Sequence, residues 1–332
     1  MRFGQTYNKT GINPPHATMN MYGGTYNHTD TAGTKGTRMG YLGSKENGQK
    51  TLNRACDATL NMYGGEYNEI ERIHMGCNAT TSRLNLHGGV LKAENILLNT
   101  STAGSYCFFA GGKAYLYWNG GVYAPVGTTA ANQTLQGLTE ALVSTNGAVV
   151  TTASLAGESY TVAQPLLHDP ALAGVDGGFT KTGAKPLALA GANTYNGDTY
   201  VAEGQLVIPA GAAATALPPD SAVVVAPGAE LVMEAGTQAG VGTLAVDMTK
   251  TYGTITGLAP ARGGKLYLTS ASGDVQRGLE LPINISGNGQ HIGRFSSWEV
   301  YVNGVKVEGL VPTVSGGKLV LDLPSGACLI IR

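Results

Sequence analysis

Charge is what this chain has least of. Of 332 residues, 13% are Asp, Glu, Lys or Arg, about half the usual share. The 21 basic and 22 acidic side chains leave a net charge of -1, which excludes a polyanion-binding protein that works by bulk charge. Aromatic residues make up 7%. No run of about 18 apolar residues occurs, so no transmembrane helix is expected. The low aromatic content and the final LIIR also argue against a membrane β-barrel. Glycine is abundant instead, with 49 residues, and 42% of the chain is hydrophobic. The hydrophobic share argues against charge-driven disorder. Glycine has no every-third-residue period, which excludes collagen. No segment carries a convincing 3.6-residue period. The composition reads as an all-β repeat protein.

The opening MRFGQTYNKTG has no apolar stretch and is not a secretory signal. Two readings follow: a cytoplasmic protein, or a fragment whose signal and earlier repeats lie upstream. A repeat array should begin with a capping unit. None is visible ahead of the first repeat, which favours the fragment.

The four cysteines are Cys56, Cys77, Cys107 and Cys328. None forms CxxC, and no histidine pair has zinc-finger spacing, so no metal site is expected. Buried free thiols are the plain reading. A Cys56–Cys77 disulfide is the alternative, because a separation of 21 approximates one coil of a β-solenoid.

The first 125 residues carry an irregular repeat. ATMNMYGGTYN from Ala17 and ATLNMYGGEYN from Ala58 differ at two of eleven positions. RLNLHGGVLKA from Arg83 and AYLYWNGGVYA from Ala114 are weaker copies. Each is a short alternating strand, a glycine pair and a second short strand. The pairs begin at Gly23, Gly64, Gly88 and Gly120, at intervals of 41, 24 and 32 by subtraction. A propeller blade needs four strands at near-constant spacing, whereas a parallel β-helix tolerates insertions at its corners. Glycine suits such corners because it enters positive φ without steric cost. Asn20, Asn61 and Asn85 occupy matched positions and are expected to form a side-chain ladder, which Tyr117 breaks in the fourth copy. TLQGLTEALVS from Thr134 reads as one short helix or an irregular crossover.

Beyond Ala148 the texture is short strands punctuated by Gly and Asn. Asn303–Gly304 between alternating strands is a hairpin signal. The expected organisation is an irregular β-helix over 1–130, connecting coils over 131–165, a repeat region over 166–240 and a β-rich cap over 241–332.

The segment GGFTKTGAKPLALAGANTYNGDTYVAEGQLVI, Gly177 to Ile208, resembles the autotransporter-associated β-strand repeat. GANTYNGDT is its most specific part, and AVVVAPGAELVM from Ala222 looks like the strand pair that follows it. The lead-in AQPLLHDPALAGVDGG and the ending NGVKVEG…GGKLVLDLPSGACLIIR are similar to those of passenger-type proteins from Verrucomicrobia-like bacteria. The specific motif covers about 75 residues, with a looser match over the last 90 or so. Lys185–Pro186 departs from the pattern, and no translocator barrel follows, so self-export is not supported. The resemblance implies a right-handed single-stranded parallel β-helix at the bacterial surface or outside the cell. It brings no catalytic residues.

Candidate sites are few. Glu66, Glu69, Glu71, Arg72 and His74 could supply the paired carboxylates of a glycosidase or the cation and base of a lyase. On one continuous strand, Glu66, Arg72 and His74 would share a face opposite Glu69 and Glu71. The plainer reading is a solvated face with cross-strand ion pairs. Tyr22, Tyr26, Tyr63, Tyr67, Trp118 and Tyr123 could form a sugar platform, or pack within the coil. His168–Asp169 is not triad geometry, and no GxSxG elbow occurs. There is no P-loop, no GxGxxG and no calcium-repeat pattern, so no nucleotide or other cofactor and no nucleic acid are expected. The six Asn-x-Ser/Thr sequons, such as Asn8–Lys9–Thr10, read as chance. The reading reached is a non-enzymatic, adhesin-like scaffold of a secreted or surface-displayed bacterial protein. The alternative is a carbohydrate-binding or polysaccharide-cleaving module, with extracellular glycans as partners.

Overall fold

A computed structural model describes residues 2–3, 16–28, 36–39, 57–69, 71–98, 111–127, 133–271, 275–287 and 297–322. The described residues are all-β; their only helical turn is the single 3-10 turn Cys77–Ala79. The chain divides into two compact units, Met1–Gly177 and Gly178–Arg332. The division falls inside the segment 166–240 that sequence treats as one region.

In the first unit the strands pair in parallel with partners three elements away. One set is β2 (His16–Met21), β5 (Asp57–Met62), β8 (Thr81–Leu86), β11 (Lys113–Trp118), β14 (Glu140–Val143) and β17 (Leu167–His168). A second is β3 (Thr25–His28), β6 (Glu66–Glu69), β9 (Val90–Ala93), β12 (Val122–Pro125) and β15 (Ala148–Thr151). A third is β1 (Arg2–Phe3), β4 (Thr37–Met39), β7 (Arg72–Met75) and β10 (Asn95–Leu98). β13 (Thr134–Leu135) pairs with β16 (Tyr160–Val162). This pattern is compatible with a β-helix.

Register follows the glycine pairs. Asn20 pairs with Asn61, Asn61 with Asn85 and Asn85 with Tyr117. These offsets are 41, 24 and 32 by subtraction, the same as the intervals between the glycine pairs. Side-chain alternation does the rest. In β5, Ala58, Leu60 and Met62 are buried; in β11, Ala114, Leu116 and Trp118 are. The corner between paired strands leaves no room for a side chain. A Cβ on Gly64 would lie 2.6 Å from the Tyr22 carbonyl oxygen.

The segment from Thr134 is not helical. Gly137 has φ of +77° and separates two short strands, β13 and β14. The apolar residues that mimicked a helical spacing are the inward positions of those strands and the corner between them. Leu135, Leu138, Ala141 and Val143 are all buried.

In the second unit, partners lie two elements apart. β18 (Phe179–Thr182), β20 (Thr199–Val201), β22 (Ala222–Val225), β24 (Val241–Asp247), β26 (Pro260–Thr269) and β28 (Glu299–Val302) run parallel. So do β19 (Leu187–Leu189), β21 (Gln205–Ile208), β23 (Glu230–Met233), β25 (Thr254–Thr256) and β27 (Glu280–Ser286). Both series end in antiparallel pairs. β28 turns through Asn303 (φ +48°) and Gly304 (φ +82°) into β29 (Val305–Val307), the expected hairpin. β30 (Val311–Ser315) pairs antiparallel with β31 (Lys318–Asp322), which pairs antiparallel with β27.

Cys77 is fully buried and disulfide-bonded, which corrects the free-thiol reading for this residue. A thiol and a disulfide satisfy the same apolar surroundings, so burial could not tell them apart. Cys56, Cys107 and Cys328 lie outside the described residues, as does Asn8.

Candidate functional site

The outer face of β2, β5 and β8 carries the asparagine ladder. Asn61 Nδ2 donates to Asn20 Oδ1 at 2.7 Å, and Asn85 Nδ2 donates to Asn61 Oδ1 at 2.7 Å. Tyr117 takes the next position, as sequence indicated. A shorter ladder links the neighbouring strands, where Asn68 Nδ2 donates to Asn27 Oδ1 at 2.7 Å.

Beside the ladder, at the corner, rings stack. Tyr22 and Tyr63 lie 4.9 Å apart with planes 8° apart, and Tyr63 and His87 lie 4.9 Å apart with planes 6° apart. Tyr117 leans on His87 at 5.6 Å. Burial lowers the His87 pKa, favouring a neutral ring within the stack. Tyr63 keeps 45% exposure although both its faces are covered, so it shows its rim to solvent. A pyranose needs a ring face. Of the stacked tyrosines, only Tyr22, 73% exposed, has a face turned away from the stack. His87 was missed from sequence although it fills the Tyr22 and Tyr63 position of the third copy.

The other aromatic candidates are interior. Tyr26 packs at 4.8 Å on the fully buried Tyr67. Trp118 and Tyr123 are fully buried, the indole donating to Gly121 O at 2.7 Å. Tyr123 meets Tyr160 at 3.1 Å, Tyr160 donates to Asn95 Oδ1, and Asn95 donates to Thr134 O. Desolvation drives the pKa of Tyr67, Tyr123 and Tyr160 upward, so these hydroxyls stay protonated as donors.

The acid/base cluster does not assemble as one strand would place it. The chain changes sheets between Glu69 and Arg72, because β6 ends at Glu69 and β7 begins at Arg72. Glu66 faces outward and binds Lys92 Nζ at 2.8 Å, which lowers its pKa. Arg72 faces Glu94 at 3.7 Å. Both are cross-strand ion pairs. His74 stands on β7 opposite Leu97. The Glu71 amide donates to Glu69 Oε1 at 3.1 Å.

Glu69 points inward and is enclosed. His28 Nδ1 lies 2.9 Å from both carboxylate oxygens. Thr37 Oγ1 donates to Oε2 at 2.6 Å, so the Tyr67 hydroxyl, 2.8 Å from Thr37 Oγ1, supplies its own proton to it. A carboxylate encircled by donors and cut off from solvent cannot act as general acid or base on an external sugar. His28 and Thr37 come from segments with no repeat signal, so sequence could not pair them with Glu69.

In the lead-in, His168 pairs with Asp176 at 2.8 Å, not with Asp169. Asp169 instead accepts from the Ala171 amide at 3.0 Å. In the second unit, Lys181 is fully buried, donating to Glu203 O at 2.6 Å and to Gly183 O. Burial brings its pKa down to about 8. Among the described residues no three potential ligands gather for a metal. No helix among them is long and apolar enough to cross a membrane.

No family model, no curated protein and no solved structure matches this chain.

Proposed function

We propose that the chain is a non-enzymatic scaffold of the autotransporter-associated repeat type. It is a right-handed parallel β-helix displayed on, or secreted from, a bacterium. The observation that carries the reading is the agreement between glycine-pair spacing and strand register, 41, 24 and 32 residues in both. A winding chain that turns at each glycine pair gives that agreement directly. The ladders and stacked rings add side-chain bonding along the winding direction. The disulfide at Cys77 favours an oxidising compartment. The enclosure of Glu69 takes away the strongest acid/base candidate. The role of such a surface is display or adhesion, and extracellular glycans are candidate partners.

Two measurements test this. The full chain is incubated with a panel of polysaccharides, and new reducing ends are assayed. None is expected, and cleavage that disappears with Glu69→Gln or Glu71→Gln overturns the reading. Protease applied to intact producing cells should remove the chain from their surface or find it in the medium. Retention inside the cytoplasm overturns the location.

A further inference from the structure

The first unit presents a strand edge that is built like its own interior. β2 and β3 are the terminal strands of their sheets. The Tyr63 amide donates to Met21 O. By strand alternation the amide and carbonyl groups of Thr18 and Asn20 therefore face the other way, outward. Glu66 N donates to Gly24 O, which likewise turns the backbone groups of Thr25 and Asn27 outward. Inner-face residues are sealed one strand further in: Ala58, Leu60 and Tyr67 are buried, whereas Ala17, Met19 and Tyr26 are only half-buried. The ladder is also unfinished. Asn20 and Asn27 accept from Asn61 and Asn68, and among the described residues their Nδ2 groups donate to nothing.

Gly23 points the same way. A Cβ on Gly64 or on Gly88 would come 2.6 Å from the carbonyl oxygen of Tyr22 or Tyr63 in the strand before it. Glycine there is forced by the close approach of the preceding strand. At Gly23 the residue is exposed, and a Cβ would meet nothing within 4 Å among the described residues. Its φ is not in the left-handed region either. Glycine at 23 has no use within the described fold, but it leaves space for a chain approaching from outside.

We propose that the edge β2–Gly23–Gly24–β3 docks one further parallel rung of the same repeat, supplied as an extended segment by another polypeptide. That segment has an alternating strand with asparagine two residues before an aromatic ring, followed by two glycines. Its asparagine oxygen accepts from Asn20 Nδ2, and its ring stacks on the open face of Tyr22. Its backbone pairs with Thr18 and Asn20. The second glycine is required by conformation, because φ at that position is +75°, +80° and +74° in Gly24, Gly65 and Gly89. This is strand addition to an open sheet edge. It rests on the stacked-rung geometry of the scaffold reading and gives that scaffold a partner.

The test uses a fluorescent peptide of sequence ATLNMYGGEYN and the full chain, read by anisotropy. Saturable binding is expected. Gly23→Ala should weaken it at least tenfold without moving the thermal midpoint, because the added methyl meets nothing in the free chain. Thr18→Pro should do the same by removing an outward amide. A peptide carrying Asn61→Leu should bind more weakly, and a scrambled peptide should not bind. Absence of saturable binding, or equal binding by wild type and Gly23→Ala, overturns the proposal and leaves the scaffold reading standing. Self-association of the chain, seen by sedimentation without peptide and abolished by Gly23→Ala, also overturns it, in favour of a second copy as occupant.

Discussion

His168 passes over Asp169, its neighbour in sequence, and sets Nδ1 2.8 Å from Oδ2 of the fully buried Asp176. That hydrogen bond is the main reason its pKa is raised. The unfolded value is about 6.5. A folded value above it means that the stabilisation is complete below about pH 6.5 and fades as pH climbs through the folded value. Thermal unfolding between pH 5.5 and 8.5 should show the wild-type midpoint falling relative to His168→Gln over the upper part of that range. Parallel profiles for the two proteins would show that the pair contributes nothing.

Asn61 both donates to Asn20 and accepts from Asn85. Replacing it with Leu removes two bonds worth about 0.5–1.5 kcal/mol each. Asn20→Leu removes one. Urea denaturation should place Asn61→Leu below Asn20→Leu in stability by about 1 kcal/mol. The reverse order would mean that the ladder does not stabilise the sheet.

Glu69 and Glu66 lie three residues apart and should respond in opposite ways. Glu69→Gln leaves donors from Thr37, His28 and Glu71 competing for one oxygen in a closed space, at a cost of about 1–3 kcal/mol. Glu66→Gln breaks an ion pair in solvent and should leave the urea midpoint where it was. A large loss at Glu66 would contradict the burial assignment.

Lys181 is held with a pKa of about 8 by burial, against 10.5 when free. The unfolded chain therefore binds the extra proton between those values, and the folded chain gains stability as pH rises from about 8 to 10.5. Lys181→Met has no such slope, and it leaves the carbonyls of Gly183 and Glu203 without their donor. Urea midpoints at pH 7.5 and pH 10 should converge towards a single value for the variant and diverge for the wild type.

Much of the first unit can be read before any coordinates. Two copies of NMYGG with matched asparagines state the ladder, and the distance between glycine pairs is the register itself. What local pattern does not carry is partner choice across non-repeating chain. Thr37 and His28 reach Glu69 from segments that resemble nothing else in the sequence, and Asp176 takes the place that adjacency gave to Asp169. The stretch from Thr134 misled because two short strands and a bend can present apolar residues three or four apart. Gly137 was the available sign that the chain bends there.

The unequal intervals have a consequence for how such a chain changes. Asn20, Asn61 and Asn85 stay aligned although one interval is 41 residues and the next 24, a difference of 17. Insertions and deletions between repeats are thus absorbed outside the pairing. Evolution can lengthen one excursion, and an engineer can graft an epitope there, while every backbone bond of the sheet keeps its mate.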